Sequence, residues 1–286
     1  MTDWRVASET GPLRDVLLCR PDHYRWQPIN AVGQRTLVAN TNLDHQRLMN
    51  AYGEFEDAFD RAGVTRHYLV PESQLPYQAY TRDSSQMTPW GVVICQMYRP
   101  VRRGEYAAVI KFYQGQGIPI WNWSTAGTLE GGDIHVIRPG LLLVGYSGDR
   151  TDRAGAEQLA VWFQAEGWEV RLQPFDPHFL HLDLLFCMVT DRLAVACLDV
   201  LEDDLVAWLR RHRIELLDIS YREAMALGCN LLALGDDRVI SPLGSKDLNA
   251  KLRAAGIEVL DPDLELFTLG GGGAHCLSMP LRRDPL

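Results

Sequence analysis

The 286-residue sequence predicts an α/β fold of five repeated ββαβ units closed into a ring, and three observations predict it. Two short apolar strands, an amphipathic helix and a third strand recur with a period of roughly 40 residues. No Pro/Gly/Ser-rich linker or low-complexity tract interrupts the chain, so one domain over residues 1–286 is expected. Hydrophobic residues make up 47% and charged residues 23%, with 8 Trp and 10 Tyr, which is enough for a sizeable core. A ring buries the apolar face of each unit against its neighbours and gathers strand ends around a central channel. An open doubly wound sheet is the alternative arrangement.

One unit is assembled from both ends of the chain: Val16-Leu17-Leu18-Cys19, a helix from Asp44 to Ala62, a strand from Val64 to Leu69 and a last strand from Cys276 to Met279. The next runs from Ser85 through Val92-Val93-Ile94-Cys95, a helix from Arg103 to Gln116 and Ile118-Pro119-Ile120-Trp121. The fullest copy has a hairpin, Asp133 to Ile137 and Leu141 to Gly145, turning at Pro139-Gly140. Its helix, Asp152 to Glu166, carries Ala156, Leu159, Ala160 and Phe163 on one face, and Trp168 to Leu172 closes the unit. The fourth comprises Leu184 to Val189, Leu193 to Leu198, a helix from Glu202 to Arg211 and Ile214 to Ile219. The fifth comprises Asn230 to Leu234, a turn at Gly235-Asp236-Asp237, Arg238 to Ile240, a helix from Lys246 to Ala255 and Ile257 to Leu260.

Charge narrows the function. With 28 Lys+Arg against 37 Asp+Glu the net charge is −9, which argues against a nucleic-acid binder, because phosphate contacts want a cationic surplus. The start, Met1-Thr2-Asp3-Trp4-Arg5, does not read as a signal peptide, and no apolar run reaches the roughly 18 residues of a membrane span. A cytoplasmic protein with no membrane partner is expected. The six cysteines are irregularly spaced without a C-x-x-C pair, so reduced, mostly buried thiols are expected.

Four segments carry more polar groups than apolar strands explain: Tyr80 to Ser85, Leu129 to Asp133, His181-Leu182-Asp183 and Gly270 to Cys276. Cys276 follows a glycine run that leaves backbone N–H groups free to approach a substrate, which suits a nucleophilic thiolate. A buried apolar thiol is the ordinary fate of a cysteine, and the other five read that way. His181 and Asp183 stand two apart, so on a strand both face one side, as proton transfer beside a cation requires. A zinc site through His178 and His181 is disfavoured by Pro177 and by the lack of further ligands. Glu130 and Asp133 flank two glycines, and Asp83 adds a third separate acid. Several acids in one channel repel one another unless a cation binds among them. The run Gly270 to Gly273 lacks a following Lys-Ser/Thr and a helix, so it is no phosphate loop, and no G-x-G-x-x-G follows the first strand.

In combination and order, these segments resemble the guanidino-group-modifying enzymes: arginine deiminase, dimethylarginine dimethylaminohydrolase and the amidinotransferases. The resemblance starts at Ser8 to Leu17 and runs through Thr81-Arg82-Asp83, Leu129 to Asp133, Gly145 to Thr151 and His181-Leu182-Asp183. It ends at His275 to Pro280 and Arg283-Asp284-Pro285. It implies a five-bladed α/β propeller, the pentein fold. It also implies Cys276 as nucleophile, His181 as general acid and base, Glu130 as its partner, and Asp83 and Asp183 as holders of the guanidinium. Asp133 and Asn30 are further candidates for the substrate site, and Arg150, with Arg102 or Arg103, for a substrate carboxylate. Deiminases of bacteria carry an arginine shortly before the cysteine, where this chain has glycines, which leaves room for a modified guanidine. Asp83, where relatives removing both nitrogens carry asparagine, argues for stopping at the ureido product. The resemblance therefore implies a cofactor-free, metal-free hydrolase of a small guanidino substrate. Amidino transfer to an amine and a non-catalytic guanidine-binding protein are the alternatives, and a homo-oligomeric state is left open.

Overall fold

The computed structural model describes residues 3–39 and 41–286, so Met1 and Thr2 of the start read above lie outside the described residues. The described residues form five three-stranded sheets, one for each unit read from the sequence. In each, the middle strand runs antiparallel to its hairpin partner and parallel to the strand that returns after a helix, as in the pairings of Gly91–Ile94 with Ser85–Thr88 and with Ile120–Trp123. The same order holds for Ile134–Arg138, Leu141–Tyr146 and Glu169–Pro174, for Phe186–Met188, Leu193–Ala196 and Glu215–Asp218, and for Leu232–Gly235, Arg238–Ile240 and Glu258–Leu260. The remaining sheet joins the chain ends: Leu13–Cys19 pairs antiparallel with Met279–Arg283 and parallel with Thr65–Leu69.

Local chemistry sets these elements. The middle strands are continuous apolar runs buried on both faces, which is why they read as Val-Val-Ile or Leu-Leu-Leu-Val rather than as alternating patterns. The helices bury one stripe each. In His45–Ala62 this stripe is Leu48, Tyr52, Phe55 and Phe59, started by the Asp44 side chain accepting from Arg47 N–H and ended by Gly63 in the left-handed region. Each such aromatic contributes about 1.5–3 kcal/mol of burial. At the Trp90-Gly91 turn Gly91 has φ +130°, and a side chain there would run into the backbone of Pro119.

Two expectations need correction, and three short helices come in addition. The last strand is Met279–Arg283 rather than Cys276 to Met279. Residues 274–277 turn instead, with Leu277 N–H donating to Gly273 O (3.1 Å) and Ser278 Oγ to Ala274 O (2.8 Å), so Cys276 stands on a turn before the strand. His181 and Asp183 do not share a strand face either. Leu182–Leu184 is a single 3₁₀ turn that sends the two side chains to different partners. Finally, short helices at Ala31–Val38, Tyr221–Met225 and Glu265–Thr268 lie outside the repeat pattern.

The loops that lead into the first strands are tied together across units. Arg82 N–H donates to Cys276 O at 3.2 Å, and Gly131 N–H donates to Asp83 O at 3.1 Å. Three of the four polar segments are thereby held against one another.

Candidate active site

Cys276 is buried, and its thiol lies between two side chains. Asn230 Nδ2 donates to Sγ at 3.1 Å, and the S–H is directed at Asp183 Oδ2 at 3.3 Å. The Arg82 side chain fixes the turn by donating through Nε to His275 O at 3.2 Å. The glycines before the turn are required by crowding. Gly271 has φ +106°, and a Cβ there would lie 2.9 Å from Asn30 Nδ2. Burial pushes the Cys276 thiol well above its ordinary pKa, and the Asp183 and Asp83 charges push the same way. A thiolate at this position therefore needs a cation beside it.

The second group is the His181–Glu130 pair. Glu130 Oε2 meets His181 Nε2 at 2.9 Å and Arg150 Nη1 at 3.3 Å, while Oε1 accepts the Tyr98 N–H at 2.9 Å. Gly132 lets the imidazole approach, since a Cβ on it would sit 2.6 Å from His181 Nδ1. Burial alone would lower the His181 pKa, yet Asp83, Asp133 and Glu130 together raise it to about 10. Glu130 is likewise opposed by burial but held well below the usual carboxylate range by Arg150 and His181. His181 Nδ1 stands 3.7 Å from Asp83 Oδ1 and has no hydrogen-bond partner among the described residues.

Asp183 and Asp83 differ in surroundings. Asp183 Oδ2 is shared by the thiol and His275 Nδ1 (2.8 Å), whereas its buried Oδ1 has no partner among the described residues. Burial raises the Asp183 pKa, but His275 and the other imidazoles bring it below the ordinary value. Asp83 Oδ1 accepts the Gly132 N–H at 3.2 Å and Oδ2 pairs with Arg102 Nη1 at 2.5 Å.

The remaining sequence candidates divide. Arg102 lines the cavity and is held by carboxylates: besides Asp83 it grips Glu105 through Nε and Nη2, both at 2.8 Å. Arg103 is exposed and donates to Met97 O and Tyr98 O, so it is not part of the site. Arg150 is buried and reaches Ile29 O at 2.8 Å, and its Nε has no partner among the described residues. Asn30 caps the helix Ala31–Val38 through Gly33 N–H (2.7 Å) and donates to Gly270 O (3.0 Å), tying that segment to the glycine run. Asp133 does not line the cavity. It accepts the Leu182 N–H at 2.8 Å, holding the His181 turn, and burial carries its pKa up to about 7.

Asn30, Asp83, Arg102, Arg150, Gly271 and Cys276 line one cavity of about 10 Å³, with Tyr77 and Tyr80 as an aromatic wall. That is room for about one water. Larger hollows of about 380 and 470 Å³ lie elsewhere, but no cysteine lines them. Asp83, Glu130 and His181 offer ligand atoms within 4.8 Å of one another, as do His135, Cys187 and His275, so among the described residues these are the groups that could hold a metal ion. His178 is not among them and bonds Tyr221 Oη at 3.0 Å. Sequence reasoning missed Asn230, His275 and Glu105. The first two carried signals only in hindsight, an asparagine just ahead of an apolar strand and an imidazole beside the cysteine.

Over residues 22–283 the sequence matches the family described as N,N dimethylarginine dimethylhydrolase, eukaryotic. An arginine deiminase of Listeria monocytogenes serotype 4b is 30% identical over 257 residues, which cover 74% of this chain and 62% of that protein. The fold is shared with the substrate-bound N-terminal domain of ArgZ, an arginine dihydrolase from the Ornithine-Ammonia Cycle in Cyanobacteria: TM-score 0.83 and 22% identity over 95% of this chain and 99% of that one. It is shared as well with the dimethylarginine dimethylaminohydrolase of Pseudomonas aeruginosa complexed with citrulline: TM-score 0.76 and 19% identity over 94% of this chain and 99% of that one. With the family match spanning nearly the whole chain, the protein belongs to the N,N dimethylarginine dimethylhydrolase family of the guanidino-group-modifying enzymes.

Proposed function

We propose that the protein hydrolyses a guanidino C–N bond of arginine or an arginine derivative, giving a ureido product and ammonia or an amine. The observation that carries this reading is that the Cys276 thiol and Asp83 line one small buried cavity, with Asp183 against the thiol and the His181–Glu130 pair against Asp83, and with Asp183 Oδ1 and His181 Nδ1 left without partners among the described residues. A planar guanidinium supplies the N–H donors that buried carboxylate oxygens lack, and its charge lets the thiol lose its proton to solvent.

Cys276 Sγ then attacks the guanidinium carbon from outside its plane. The C–S bond forms as the bond to the leaving nitrogen breaks, and the His181 imidazolium gives that nitrogen a proton. Water adds to the amidino-thioether carbon and loses a proton to His181. The C–S bond breaks, returning the thiolate and the ureido product, and the remaining proton leaves with the amine as ammonium. Glu130 keeps the imidazole oriented and charged, and Arg150 is the candidate for a substrate carboxylate. The cavity as it stands is too small for a guanidino amino acid, so its walls move apart when substrate enters, and Asn30 is among the residues that line it.

We also infer that the five sheets close as a five-bladed α/β propeller, one domain over residues 1–286, with the site at the channel. The described cysteines are all unpaired, which supports a reducing compartment such as the cytoplasm. The test is an endpoint assay against arginine, methylated arginines, agmatine and other guanidino acids, scoring ureido product and released amine, with Cys276→Ala as control. Product that vanishes in the variant is expected. No product from any guanidine, with amidine transfer to added amines instead, would replace hydrolysis by transfer.

A further inference from the structure

Asn230 is buried, and its side chain makes three hydrogen bonds, all to the loop that presents the thiol. Its Oδ1 accepts the N–H groups of Gly273 (2.8 Å) and Cys276 (3.1 Å), and its Nδ2 donates to Cys276 Sγ (3.1 Å). The asparagine is itself held: its own N–H donates to Leu227 O at 3.1 Å in the turn that precedes Leu232–Gly235. Among the described residues Asn230 is the one donor to Sγ. The other polar neighbour, Asp183 Oδ2, accepts the S–H and so becomes a repelling charge once the thiol ionises.

We propose that Asn230 is the residue that stabilises the Cys276 thiolate and aims it, a role no sequence signal assigned. The inference rests on Cys276 being the nucleophile of the reaction proposed above. The side-chain amide is suited to both tasks. Its carbonyl end fixes the two backbone N–H groups on either side of the turn, which sets where Sγ stands. Its amide end remains a neutral donor when the sulfur turns anionic, and it cannot take the proton back as an imidazole would. Aspartate at this position would keep the shape and the acceptor contacts to the backbone, but it would face the sulfur with an acceptor. Asn230→Asp therefore separates the two roles, because a pure loop clamp would tolerate it.

The experiment reads the thiol without substrate. Purified wild type, Asn230→Asp and Asn230→Ala are treated with iodoacetamide across the neutral to alkaline range, and modification of the Cys276 peptide is followed by mass spectrometry. At about pH 8, where the thiol is mostly protonated, a rise of one pKa unit lowers the alkylation rate about tenfold, and at least that is expected for Asn230→Asp. Asn230→Ala is expected between the two. Should Asn230→Asp not fold, Asn230→Ser, too short to reach Sγ, is read in its place. Where turnover is found, kcat falls in parallel while KM stays within about twofold. An alkylation profile in Asn230→Asp within about twofold of wild type would overturn the inference. A slowed profile with no guanidine turned over by wild type would instead sink the proposed function and leave Asn230's role standing.

Discussion

Replacing Glu130 by glutamine tests the charge arrangement of the site most sharply. Wild-type Glu130 is buried, pairs with His181 Nε2 at 2.9 Å and Arg150 Nη1 at 3.3 Å, and accepts the Tyr98 N–H at 2.9 Å. Glutamine keeps the volume and one acceptor but leaves two buried cations short of a counter-charge, a class of change that costs about 3–5 kcal/mol. The pH dependence follows from His181, whose pKa rises from 6.5 to about 10 in the folded protein. A group raised in this way contributes stability that is fully present below about pH 6.5 and is lost as pH rises through about 10. For one proton that window is worth at most about 5 kcal/mol, shared among Asp83, Asp133 and Glu130. Urea unfolding followed by Trp fluorescence should show Glu130→Gln less stable by about 3 kcal/mol at neutral pH. Its stability should also change less than that of wild type between neutral and alkaline pH. Glu130 itself adds the opposite dependence, since its own pKa is depressed: the stability it gives is present at neutral pH and lost on acidification. A variant within about 1 kcal/mol of wild type, with an unchanged alkaline slope, would refute the claim that Glu130 holds His181 as a cation.

Three further outcomes follow from the geometry. Gly271→Ala places a Cβ at φ +106° and 2.9 Å from Asn30 Nδ2, so a loss of about 1–3 kcal/mol is expected in thermal unfolding. Arg102→Ala leaves Asp83 and Glu105 buried without their cation and should destabilise by about 3–5 kcal/mol, whereas Arg103→Ala, at the exposed neighbour, should stay within about 0.5 kcal/mol in the same melts. Asn30→Ala removes both a helix cap and the tie to Gly270 O. About 1 kcal/mol of stability should be lost, and substrate titration should show a raised KM.

The five sheets were legible because each unit repeats the same physics: a buried apolar hairpin, a helix with one apolar stripe, and a returning strand, as Leu141–Tyr146 and Arg153–Ala165 show. The pairing of the two chain ends was legible for the same reason, although the last strand lies three residues later than its apolar pattern suggested. What moved it is local: Ser278 bonds back to Ala274 O, which a periodicity argument does not see. At the site, Cys276, His181, Glu130, Asp83 and Asp183 could be named because each stands in a polar segment where an apolar strand would be expected. Their partners could not. Asn230 reaches Cys276 across 46 positions and His275 meets Asp183 across 92, and nothing in either local pattern encodes those distances. For Arg102 the position was legible but the partners were not. A cation near the site suggests a carboxylate ligand, and the two buried carboxylates that hold it, Asp83 and Glu105, were not readable as its partners from the local pattern.

The most direct test of the central claim is covalent. Wild-type protein mixed with each guanidine of the panel is quenched in acid within the first turnovers, and the Cys276 peptide is weighed by mass spectrometry. The account predicts an amidino adduct on Cys276 that grows with substrate concentration, persists longer when His181 is replaced by glycine, and is absent in Cys276→Ala. Turnover of a guanidine with the Cys276 peptide never modified, or undiminished turnover in Cys276→Ala, would contradict it.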